Sequence, residues 1–192
     1  MPKLNTTTSG IITATLTADS SPTLELQQNG VAIRTLGESQ LVMGTAQSTA
    51  TGATAYDFTG IPSWAKRITI MFNGVSTSGT SQVQVQLGDS GGFETSGYSG
   101  GSSYASTNGA NSAGFTIEYS GGPLATTVRS GILTICLLGS NTWCSAGIMN
   151  WNGPSISSAG AKTLSDTLTQ VRITTVNGTD TFDAGTVNIM WE

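Results

Sequence analysis

Eleven acidic side chains and not one histidine set the limits of what this chain can do chemically. Without histidine, the Ser-His-Asp and Cys-His routes to an activated nucleophile are closed and the commonest zinc ligand is missing. What remains is carboxylate chemistry of the glycoside-hydrolase kind, which needs two carboxyl groups at a fixed separation across a sugar cleft. Asp57, Asp89, Glu94, Glu118, Asp166, Asp180 and Asp183 are the candidates. Their spacing selects no pair, and most stand beside Gly, Ser or Thr, where Asp stabilises a turn through its own backbone. The run from Asn177 to Asp183 spaces three oxygen-bearing side chains three residues apart. Calcium takes about six to eight oxygens, so this run is expected to stabilise a turn instead. Cys136 and Cys144 flank Leu-Leu-Gly-Ser-Asn-Thr-Trp. A three-residue hairpin loop at Gly139-Ser140-Asn141 would set the two opposite each other on paired strands. A disulfide there is geometrically conceivable, but a reducing compartment favours two half-buried thiols. No catalytic, cofactor or metal site is expected, and the chain reads as a binding protein.

The elements that would position these residues are strands. The cleanest is Gln82–Leu87, where Val83, Val85 and Leu87 face one way and three glutamines the other, as on a half-buried strand. Similar alternation predicts strands over Arg67–Phe72, Gly114–Tyr119, Gly131–Leu138, Trp143–Trp151, Leu168–Thr175 and Thr186–Trp191. Asn73-Gly74, Gly91-Gly92, Gly121-Gly122-Pro123, Asn152-Gly153-Pro154 and Asn177-Gly178 read as the turns between them. No segment of helical length carries a 3.6-residue stripe. The expected class is therefore all-β, a β-sandwich or jelly-roll-like head over residues 41–192.

Residues 1–40 differ. Thr23–Gln28 and Val31–Leu36 flank Asn29-Gly30, a pair favoured in type I′ hairpins, and Ile11–Leu16 alternates ahead of them. An isolated hairpin is marginal in water, so Ile11, Leu16, Leu24, Leu26, Val31 and Ile33 are expected to pack on another surface. That surface belongs either to symmetry-related chains or to a second protein.

At 192 residues with 9% charged side chains and a net charge of −4, the chain is an unsuitable nucleic-acid binder, because phosphate neutralisation needs clustered Lys and Arg. No apolar run approaches the ~20 residues of a membrane span, and Met1–Gly10 lacks the apolar core of a signal peptide. The chain is expected to be made in the cytoplasm and to insert in no membrane. Residues 88–112 form a long Gly/Ser/Asn-rich stretch carrying Phe93, Tyr98 and Tyr104, the candidates for ligand or subunit contact. Tyr98 and Tyr104 are expected to be exposed. The alternative for this stretch is one or two short edge strands.

Three segments carry a resemblance. DFTGIPSWAKRITIMFNGVSTSGTS from Asp57 to Ser81, QVQVQLGDSGGFETSGY from Gln82 to Tyr98, and VRITTVNGTDTFDAGTVNIMWE from Val171 to Glu192 resemble the C-terminal domain of many fibre and tail-fibre-like proteins of tailed bacteriophages. The Pro22–Val31 segment looks like pieces of phage fibre shafts. The resemblance implies a virion-surface structural protein, usually a homotrimer. Its N-terminal segment would dock on other virion proteins, and its head would meet a host-surface glycan. A head fibre or capsid decoration protein is the alternative within that class. A carbohydrate-binding module, or a small hydrolase using Asp89 or Glu94, is the alternative outside it.

Overall fold

The computed structural model describes Leu24–Gln28, Val31–Leu36 and residues 41–192 apart from 106 and 120. The chain divides into two compact units, Met1–Glu38 and Ser39–Glu192. In the first, β1 (Leu24–Gln28) and β2 (Val31–Leu36) pair antiparallel with Gln28 opposite Val31, a hairpin register. Leu24, Leu26, Val31 and Ile33 lie on its strands, whereas Ile11 and Leu16 lie outside the described residues.

The second unit is all-β, with no helix among the described residues. Its strands are β3 (Val42–Met43), β4 (Gln47–Ser48), β5 (Ala55–Thr59), β6 (Arg67–Thr77), β7 (Val83–Asp89), β8 (Gly92–Phe93), β9 (Ser99–Tyr104), β10 (Thr107–Ala110), β11 (Phe115–Thr116), β12 (Arg129–Gly139), β13 (Thr142–Trp151), β14 (Ser155–Thr163), β15 (Gln170–Thr175) and β16 (Phe182–Trp191). A nine-stranded antiparallel sheet runs β10-β9-β14-β13-β12-β6-β16-β3, with β4 also on β16. A five-stranded sheet runs β11-β7-β15-β5, with β8 on β7. Alternation builds the sandwich: Ile68, Ile70, Leu133, Ile135, Val187 and Ile189 from the larger sheet meet Val83, Val85, Leu87, Val171 and Ile173 from the smaller in one buried cluster. Each such side chain contributes about 1.5–3 kcal/mol on burial.

Four expectations are corrected. Asn73-Gly74 is no turn: it lies within β6, where Gly74 takes a φ of 67° and the register shifts against both β12 and β16. A bulge with glycine in the left-handed region and a type I′ turn both need positive φ, so the dipeptide serves either. Gln84 and Gln86 are buried, because β7 lies inside its sheet and residues 111–114 cover its outer side. Asn111 Nδ2 donates to Gln84 Oε1 at 2.7 Å and Gln86 Nε2 to the Ala113 carbonyl at 3.0 Å. The Gly114–Tyr119 strand shrinks to Phe115–Thr116. The β12–β13 loop is two residues, Ser140 and Asn141, both at positive φ. A bulge at Leu138 restores the expected pairing of Cys136 with Cys144.

Candidate contact surface

The three predicted contact residues do not converge. Tyr98 is 5% exposed rather than presented to solvent. Its ring packs edge-on against Phe115 at 5.0 Å, with Lys162 over its face, and its hydroxyl accepts the Leu87 N–H at 2.7 Å. Burial pushes that hydroxyl's pKa up. Phe93 is half-buried on β8, its ring capped by the Arg172 guanidinium at 4.1 Å, which in turn forms a two-pronged pair with Asp57 at 2.7 and 2.8 Å. Tyr104 alone is exposed as expected, at 37%.

Tyr104 belongs to an aromatic cluster. Its ring stacks on Tyr119 at 5.6 Å, and Tyr119 meets Trp151 edge-on at 5.4 Å. The three come from the end of β9, from the connection after β11 and from the end of β13. Both missed partners carried a readable signal, since Trp151 directly precedes the Asn152-Gly153-Pro154 turn and Tyr119 stands one residue ahead of the Gly121-Gly122-Pro123 break.

The connection from 119 to 128 is fastened at its base and along its side. Glu118 and Arg129, on either side of it, form a buried ion pair at 2.6 Å. Glu118 also accepts the Val83 N–H, and Arg129 donates to the Thr127 carbonyl at 3.1 Å. Burial pushes the Glu118 carboxyl up against the downward pull of Arg129. Asn152, at a φ of 50° in the β13–β14 turn, accepts the Val128 N–H at 3.0 Å and donates to the Thr126 carbonyl at 3.3 Å. Leu124 and Val128 stand exposed on this connection, at 57% and 43%.

Of the candidate acids, Asp89 and Glu94 converge on Ser165. Its hydroxyl donates to Asp89 and its backbone N–H to Glu94, each at 2.7 Å. The Ser165 hydroxyl and the Gly91 N–H hold the Asp89 carboxyl below its usual range. Burial pushes Glu94 up, but Lys162 and the Ser165 N–H outweigh it and hold it low as well. Both carboxylates fasten the Ser165 loop, and the Asp166 N–H also donates to Asp89 at 3.0 Å. Asn177 accepts from the N–H groups of Thr179 and Asp180, and Asp180 accepts from Ser81, so these oxygens brace the turn after β15. Cys136 and Cys144 face each other across β12 and β13 as free thiols, exposed rather than half-buried.

Comparison of the chain with protein-family models, with curated proteins and with solved structures found no match.

Proposed function

We propose that the protein is a structural component of a tailed-bacteriophage virion: a trimeric fibre whose β-sandwich head meets a host-surface glycan with its aromatic end. The carrying observation is the polarity of the head. The chain enters it at Leu41, beside the Val42–Trp191 pairing. That pairing lies level with Ile68 and Ile135, six residues along β12 from the Arg129–Trp151 pairing, or about 20 Å at ~3.4 Å per residue. The Tyr104–Tyr119–Trp151 cluster therefore stands at the far end from the N-terminal segment's point of attachment. Aromatic faces suit stacking on sugar rings, and Tyr104 stands exposed at this end. The loop-bound state of Asp89 and Glu94 supports binding over hydrolysis.

The test is binding of the full-length protein to immobilised surface polysaccharide extracted from candidate host bacteria, beside a Tyr104→Ala variant. Saturable binding weakened about tenfold or more by the substitution is expected. Binding to phage capsids and to no bacterial surface would move the protein to the shell as a decoration subunit and defeat the attachment reading.

A further inference from the structure

Cys136 and Cys144 are the two cysteines of the chain, and the fold brings them together on one surface. They stand directly opposite each other in the β12–β13 register. Both are exposed on the outward face, since their neighbours Ile135 and Trp143 turn into the core. The hairpin loop alone does not arrange this. Counted back from Ser140 and Asn141 without an extra residue, Cys144 would oppose Leu137 and Cys136 would oppose Ser145, which puts the thiols on opposite faces of the sheet. The bulge at Leu138 moves β12 along by one residue and sets the two thiols level.

Opposite residues of an antiparallel pair have Cα atoms about 4.5 or 5.5 Å apart, according to whether they exchange hydrogen bonds. A disulfide spans Cα separations of about 4.4–6.8 Å, so either kind of pair admits one. The surroundings leave room for it. Thr134 and Ala146 lie two residues along on the same face, and Ala161 stands beside Cys144 on β14. On the other side of Cys136 is Arg67, which is paired with Glu192. We propose that Cys136 and Cys144 are a redox site, at which a low-molecular-weight disulfide forms a cross-strand bond that staples the β12–β13 hairpin. One thiolate attacks a sulfur of the reagent, releasing one small thiol and leaving a mixed disulfide. The other attacks the protein sulfur of that mixed disulfide and releases the second. The two protein thiols lose two electrons and two protons, and the reagent is reduced to two thiols. The bond closes a loop over residues 137–143 and so restricts the unfolded chain. Because the site is exposed, reductants reach the bond and the staple is reversible. The inference is independent of the proposed function.

The test is the full-length protein equilibrated with reduced or with oxidised glutathione, its free thiols then alkylated and its intact mass read under denaturing, non-reducing conditions. The reduced protein is expected to take two alkyl groups. The oxidised protein is expected to take none, to lack two hydrogens, to carry no glutathione and to run as a single chain. Its melting midpoint is expected to lie about 5 °C above that of the reduced protein, a shift that dithiothreitol reverses. Cys136→Ser and Cys144→Ser change exposed positions outside the core cluster. Both variants are expected to melt cooperatively at the reduced midpoint under either condition. Two thiols left free in oxidised glutathione, glutathione retained on either cysteine, or chains cross-linked to one another would overturn the intrachain pair. An intrachain bond that leaves the midpoint unchanged or lowers it would overturn the staple.

Discussion

Arg129 carries its charge with no solvent exposure at all, and what keeps it there is a single carboxylate, one backbone carbonyl and the strand that begins with it. Breaking such a pair leaves an uncompensated charge in the interior. Arg129→Ala is expected to destabilise the head by about 3–5 kcal/mol. Replacing both partners, as Glu118→Leu with Arg129→Met, should recover most of that loss but not all of it. Glu118 also accepts the Val83 N–H, and an orphaned buried donor costs about 1–3 kcal/mol. Urea unfolding of the wild type, the single variant and the double variant measures both numbers. A double variant no better than the single one would mean that loss of packing, not of charge balance, sets the effect. The two tyrosines of the 88–112 stretch show why such roles are hidden locally: both sit among Gly and Ser, yet Tyr98 is buried by Phe115 and Lys162 while Tyr104 is met by Tyr119. Burial of each is decided by chain far away in sequence.

Two long strands, β6 and β16, pair through two register shifts, and the glycines there are positional rather than incidental. Gly185 takes a φ of 97°, and a Cβ on it would lie 2.5 Å from the Gly74 carbonyl carbon. Gly185→Ala combines left-handed strain with a backbone clash and is expected to cost about 3 kcal/mol or more. Gly52→Ala, at a φ of 75° with open space around it, should cost only about 1–2 kcal/mol from φ alone. Thermal midpoints of the two variants check the contrast, and equal losses would remove the close approach as the cause. At this scale the sequence was legible one face at a time. Alternation placed Val83, Val85 and Leu87 in the core correctly, but it gives no sign of whether the other face of a strand is covered, so Gln84 and Gln86 read as solvated. The all-β class followed from strand patterns and turn residues. The aromatic end did not, because its three members stand 15 and 32 residues apart along the chain, at 104, 119 and 151.

The core cluster of the head draws every member from residues within 53–191. A chain of residues 41–192 is therefore expected to melt cooperatively, with a midpoint within a few degrees of the full-length protein when both are compared in the same oligomeric state. Loss of the cooperative transition on truncation would show that residues 1–40 complete the fold. The buried clasp between Glu118 and Arg129 has a consequence on a longer timescale. It shuts the 119–128 connection at its root, and Asn152 holds Thr126 and Val128, so the exposed part around Leu124 is where length can vary. Doubling such a loop adds only about 0.6 kcal/mol of closure entropy. Insertions and exchanges there can accumulate under selection while the strand registers beneath are inherited intact, so lineages of this head would diverge in that connection long before they diverge in architecture.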